Sequence, residues 1–179
     1  MKTLETERLT LRGFEETDDV DMFAYASNPN IGPSAGWPPH MNIEESRKIL
    51  RMFIQADDNW ALVDKAGGHV IGSLGYRRDA KRTNDHAYEI GYVLSQDYWG
   101  QGLVAEAVRA VLRYLFMDLH ADVVSAVHYP FNTQSRRVME KCGMKYEGTL
   151  RKSARLFTGE VHDAVCHAIT KDEYLGLDA

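Results

Sequence analysis

Apolar residues change their spacing several times along this chain, and each change marks a structural element. Leu9, Leu11 and Phe14 lie in an extended run from Thr6 to Phe14, which predicts a first strand. Asp18 to Ser27 predicts a helix with Thr17 as N-cap, and Asn42 followed by Glu45 resembles a capping box. The helix it opens carries Ile49, Leu50, Phe53 and Ile54 at helical spacing. Strands follow at Trp60 to Val63, Val70 to Tyr76 and His86 to Leu94, the first two joined by a hairpin connection from Asp64 to His69. Val104, Ala107, Val108, Val111, Leu112, Leu115 and Phe116 form the apolar face of a helix from Gly102 to about Leu119. Val123 to Tyr129 predicts a strand and Asn132 to Lys141 a helix ended by Gly143. Met144 to Leu150 and Val161 to Thr170 predict an antiparallel pair turning at Thr158-Gly159, and Thr170 with Glu173 caps a last helical turn. This order gives an α+β fold with one mixed sheet.

With 179 residues, one domain spanning 1–179 is expected. The formal charge of −5 and the lack of a basic run argue against nucleic-acid binding. No apolar run approaches the ~20 residues a membrane span needs, and Met1 to Arg8 lacks an apolar signal segment. Cys142 and Cys166 match no zinc or redox spacing and read as buried thiols. The expected location is cytoplasmic, with no nucleic-acid or membrane partner.

Most of the chemistry is announced by Tyr88 to Leu94, read as a strand, followed by Tyr98-Trp99-Gly100-Gln101-Gly102-Leu103-Val104-Ala105. A glycine turn opening a helix presents backbone N–H groups to an anion. Gly100 to Ala105 fits G-x-G-x-x-A, a weak dinucleotide fingerprint on its own. A nicotinamide or flavin fold needs the strand to run almost directly into the first glycine and an acidic residue at the end of the next parallel strand. Here Ser95 to Trp99 intervene, and Asp118 and Asp122 precede the next strand. A structural turn without a ligand is the plain alternative.

The segment resembles the acetyl-CoA-binding core of the GNAT N-acetyltransferase superfamily, whose turn reads R/Q-x-x-G-x-G/A. Asp97 stands at the Arg/Gln position, a departure that leaves the backbone cradle but removes one polar contact. Asn132-Thr133-Gln134-Ser135-Arg136-Arg137-Val138-Met139-Glu140-Lys141-Cys142-Gly143-Met144 is similar to the N-x-x-S-x-x-V-x-E-K-x-G-hydrophobe stretch of the ribosomal-protein N-terminal acetyltransferase (RimJ/RimL-like) branch. Thr6 to Arg12 and Trp37-Pro38-Pro39 resemble that branch too. The resemblance implies a mostly antiparallel central sheet of about seven strands flanked by about four helices, splayed between the fourth and fifth strands. It implies that Val93 and Leu94 offer backbone groups to a pantetheine arm, that Trp99, Gly100, Gln101, Gly102, Leu103, Val104 and Ala105 hold the pyrophosphate, and that Asn132 contacts pantetheine.

Acyl transfer to an amine requires a deprotonated amine, a donor for the oxyanion and a proton or hydrogen bond for the departing thiolate. The acyl group arrives activated, so acetyl-CoA is the implied cosubstrate and no metal is required. The resemblance implies the oxyanion donor near Val93 and Ser135 as the thiol's acid; unaided, Ser135 reads as a surface helix residue and Asn132 as an N-cap. Relatives that use a tyrosine further along this helix have it where Met139 stands here, and Tyr129 is a substitute. Glu89 and His128 compete as general base, each equally readable as a paired strand residue or a core histidine. Asp163 either orients the acceptor or pairs with a cation. Asn28 to His40 and Arg77 to Asp85 are candidate acceptor loops, with Trp37 and His40 contacting a peptide or Trp37 plugging the core edge. Glu106 reads as a first-turn carboxylate favoured by the helix dipole. Cys142, on the inner part of a packed helix, argues against a covalent acyl intermediate.

Together these readings predict direct transfer from acetyl-CoA to a primary amine in a ternary complex. The acceptor is a protein N-terminal α-amine or a small molecule such as a polyamine, amino acid or antibiotic, and the oligomer a monomer or homodimer. A noncatalytic acyl-CoA-binding module is the rival from another class.

Overall fold

Leu9, Leu11 and Leu62, fully buried, show why the first predicted strand pairs where it does. In the computed structural model, which describes residues 1–178, Leu11 lies opposite Leu62 in an antiparallel ladder. The strands are β1 (Leu4–Glu5), β2 (Leu9–Gly13), β3 (Asn59–Asp64), β4 (Val70–Arg78), β5 (Ala87–Leu94), β6 (Val123–His128), β7 (Lys145–Arg155) and β8 (Val161–Thr170). They form an eight-stranded sheet in the order β1-β2-β3-β4-β5-β6-β8-β7. The helices are α1 (Asp19–Ala26), α2 (Gly32–Ala35), α3 (Ile43–Ala56), α4 (Leu103–Arg113), α5 (Thr133–Lys141) and α6 (Lys171–Leu175). The fold is thus the predicted mixed, mostly antiparallel sheet with flanking helices. It has one strand more than predicted, the two-residue β1, and a short α2 inside the Asn28 to His40 loop. Among the described residues no helix is long and apolar enough to cross a membrane.

The chain divides into two compact units, one of Met1–Gly75 with Tyr92–Ala107 and one of Tyr76–Gly91 with the residues from Val108 onward. In the first, Phe14, Met22, Tyr25, Ala26, Ile31, Leu50, Ala61 and Val70 form the core, and Trp37, Phe53, Val93 and Trp99 pack against it. Complete burial of a side chain such as Leu50 contributes about 1.5–3 kcal/mol. Thr17 does not cap α1. It lies in a 3₁₀ turn, Glu16–Asp18, and the Asp18 carboxylate accepts from the Glu15 amide (2.8 Å) and two Arg12 nitrogens (2.8 Å each). Asn42 caps α3 by accepting from the Glu45 amide (3.1 Å), but Glu45 reaches back to the Met41 amide (2.7 Å) rather than to Asn42.

In the second unit β6 is central, with Val124, Ser125 and Ala126 buried. It pairs in parallel with β5 from Ala87↔Val123 to Ile90↔Ala126 and antiparallel with β8 along its whole length. The parallel ladder closes after four pairs while β5 continues through Gly91–Leu94, which is the splay expected between these strands. The helix predicted to run to Leu119 widens into a π turn at Tyr114–Asp118, in which Leu115 and Phe116 are fully buried. Gly143 adopts φ +80° and ends α5, and Thr170 with Glu173 forms the expected capping box on α6.

Candidate functional site

The strand–turn–helix lies in the first unit. Leu103 and Ala105 are buried and anchor the start of α4, whereas Gly100, Gln101 and Gly102 are exposed. Gly100 and Gly102 adopt φ +78° and +79°, a region L side chains enter at a cost. A Cβ at Gly100 would meet open space, so the turn's outer side is free to receive a ligand. Trp99 is partly buried against the core, and its indole N–H donates to the Leu94 carbonyl (2.9 Å), tying the end of β5 to the turn. Gln101 reaches back to the Asp97 carbonyl (3.3 Å), so the residue at the family's Arg/Gln position stabilises the turn through its backbone. Gln96 just before it accepts from both Asn28 and Asn30 (3.0 Å each), which fastens the Asn28 to His40 loop to this segment. Trp37 packs against the core and His40 faces Ser46 (Nδ1 to Oγ, 2.7 Å), so both have structural work in that loop. Burial holds the His40 imidazole below its ordinary pKa.

The other candidates lie in the second unit. Asn132 caps α5, its side-chain oxygen accepting from the Ser135 amide (3.0 Å), and Ser135 is partly buried one turn along. Glu89 lies opposite Ser125 in the β5–β6 ladder. Its carboxylate is paired with Arg77 and Lys81, and Lys81 also reaches Asp79 (2.8 Å). Asp79 is buried and accepts from the Ser125 hydroxyl (2.6 Å). Burial pushes its pKa up, but bonds from Lys81 and Ser125 outweigh that and hold it below the ordinary carboxylate value. The Arg77 to Asp85 loop is therefore an ion-pair network that includes Glu89. Asp163 accepts from the Lys152 amide (2.8 Å), where Lys152 takes φ +51° at an irregularity of β7; it secures that bulge.

His128 alternates with Ser125 along β6 and so projects from the opposite face to Glu89. It is buried, its Nδ1–H donates to the Tyr129 carbonyl (2.8 Å), and its Nε2 is enclosed with no hydrogen-bond partner among the described residues. The His167 ring lies 5.3 Å away. Burial, and then neighbouring His128, holds the His167 imidazole below its usual pKa, and Glu140 and Arg136 of α5 are close enough to act on it. The α5 helix that carries Ser135 thus shares the His128 face of β6, and Glu89 lies on the other face. Tyr129 stacks on Phe131 (5.4 Å).

The family described as the acetyltransferase (GNAT) domain matches residues 8–145, which takes in the glycine turn, both base candidates and the whole of α5. The chain belongs to the GNAT acetyltransferase family. It is an acyltransferase, and among its relatives the uncharacterized N-acetyltransferase p20 of Bacillus licheniformis is 30% identical over 98% of this chain and 100% of its own length. The ribosomal protein uS5 alanine N-acetyltransferase of Escherichia coli is 29% identical over 78% of this chain and 69% of its own. A GNAT-family acetyltransferase from Bacillus anthracis has a solved structure with TM-score 0.87 at 27% identity, over 96% of this chain and 99% of that one.

Within this GNAT acetyltransferase, some supporting residues lie beyond the reach of local patterns. Arg8 contacts Glu106 98 residues away, and Gln96 meets asparagines 66 and 68 residues earlier. The Thr6 to Arg12 stretch that carried part of the resemblance was the one signal pointing at Arg8.

Proposed function

We propose that residues 1–179 act as a single catalytic domain that moves the acetyl group of acetyl-CoA directly to a protein N-terminal α-amine in a ternary complex. The observation that carries the donor reading is the exposed turn at Gly100 to Gly102, two left-handed glycines at the start of α4, the first of them facing open space. Its amides and the helix N-terminus suit a diphosphate. Acetyl-CoA supplies an acyl group already activated as a thioester. In the first unit Gly100 to Ala105 fix its diphosphate and Val93 and Leu94 guide its extended arm; in the second, the family resemblance assigns the hydrogen bond to the leaving sulfur to Ser135, whose amide Asn132 caps at the start of α5. A covalent detour through cysteine fits poorly, because burial pushes the Cys142 thiol up to about 11.

The acceptor reading follows from the two base candidates. Glu89 is already occupied by two cations, and the His128 Nε2 is enclosed. An acceptor that brings its own neutral amine suits such a site. An α-amine with pKa near 7.7–8.0 is about a fifth to a third neutral at pH 7.4, whereas a lysine-type amine is only about 0.1% neutral. Two buried free thiols suit a reducing, cytoplasmic setting.

A screen of free N-terminal peptides, polyamines and aminoglycosides, read by release of free thiol from acetyl-CoA, tests this reading. Peptide α-amines are expected to turn over fastest. Turnover confined to polyamines or aminoglycosides would overturn the acceptor assignment, and cofactor binding without thiol release from any amine would make the protein a noncatalytic binder.

A further inference from the structure

We propose that Arg8 is a positioning residue for the acyl donor, acting through the glycine turn; the inference rests on the donor site proposed above. Arg8 grips Glu106 with its backbone N–H to Oε1 (2.8 Å), its Nε to Oε2 (2.8 Å) and its Nη2 to Oε2 (2.7 Å). Its remaining fork nitrogen, Nη1, donates to the carbonyl of Gln101 (3.0 Å), the residue between the two left-handed glycines.

Two physical consequences follow. In a trans peptide the carbonyl and the next N–H point in opposite directions. Arg8 draws the Gln101 carbonyl toward itself, so the Gly102 N–H is turned to the side away from Arg8, toward the seat of an anion. The second consequence is electrostatic. Glu106 sits in the first turn of α4, where an unpaired carboxylate would compete with a bound anion for the positive end of the helix. Arg8 satisfies that carboxylate, which is largely buried, and leaves the helix end to the donor. Burial pushes the Glu106 carboxyl up, but hydrogen bonds from Thr6 and Arg8 outweigh it and keep the group ionised. The guanidinium fork makes three directed contacts at once, which an ammonium group at the same place cannot reproduce.

The test compares acetyl-CoA with S-acetylpantetheine, a donor that lacks the diphosphate, in wild type, Arg8→Gln, Arg8→Lys and Glu106→Gln proteins. Arg8→Gln is expected to raise the KM for acetyl-CoA about tenfold with kcat within about twofold, and to leave kcat/KM for S-acetylpantetheine unchanged. Arg8→Lys should fall between the two. A loss of equal size with both donors would assign Arg8 a merely structural role, and no change with either would remove it from the site. Should Arg8→Gln fail to fold, Glu106→Gln loosens the same brace and is expected to raise the acetyl-CoA KM selectively, about threefold; an unselective effect there overturns the inference equally. A wild-type protein that neither binds nor turns over acetyl-CoA would instead overturn the donor site itself.

Discussion

Asn132 and Ser135 show how one local interaction that stabilises a helix would also position the proposed acid. The Asn132 side chain satisfies the Ser135 amide at the start of α5 and thereby fixes where the Ser135 hydroxyl begins. Asn132→Ala is expected to cost about 1 kcal/mol in chemical denaturation. Ser135→Ala is expected to lower kcat about 10- to 100-fold with a small change in the acetyl-CoA KM, read by thiol release; unchanged turnover would remove Ser135 as the acid. The capping role was legible in the sequence because it spans three residues. For Glu89 the sequence offered a base or a paired strand residue without naming the partners, since Arg77 and Lys81 meet it only once β4, the following loop and β5 have folded. A pH effect also belongs to single residues. His40 and His167 are held below their ordinary pKa by burial. The unfolded chain then binds more protons than the folded one just below about pH 6.5, so stability is complete above that value and is lost as pH falls through the window beneath it. The melting temperature should be lower at pH 5.5 than at 7.5, and His167→Asn should reduce that difference.

Two glycines separate the fold of the elements from their use. At Gly72 on β4 an added Cβ would clash with the Val93 carbonyl oxygen of β5, so Gly72→Ala forces the strands apart. The expected loss is about 3 kcal/mol, or about 6–12 °C in melting temperature. At Gly100 the same methyl meets nothing, and the cost in stability is limited to about 1–2 kcal/mol of left-handed strain. On the proposed donor site the methyl would stand on the ligand side, and the dissociation constant for acetyl-CoA in calorimetry is expected to rise at least about tenfold. Strand and helix positions were largely readable, because the apolar runs at Trp60 to Val63 and His86 to Leu94 fall on β3 and β5 and the helical spacing on α3 and α4. What escaped was set by tertiary contact. The two residues of β1 exist by pairing with β2, and the helix after Arg113 widens into a π turn, although Leu115 and Phe116 keep the inward face predicted for them.

For the whole molecule, membership in the GNAT family fixes the class of reaction, and the acceptor is the proposal that the pH dependence tests. Glu89 and His128 project from opposite faces of the sheet, so a single amine cannot use both. If the acceptor supplies its own neutral amine, kcat/KM should rise with pH along the titration of that amine, near 8 for a peptide, and should shift when a less basic acceptor is used. An inflection that stays in place whatever the acceptor would instead mark a group of the protein, with His128 the first candidate, as the base. The decisive measurement is titration of the purified protein with acetyl-CoA by calorimetry, with NADH and FAD as controls. One site of micromolar affinity for acetyl-CoA, weakened in Gly100→Ala and absent for both controls, is the expected result. No heat with acetyl-CoA alongside micromolar binding of NADH or FAD would contradict it.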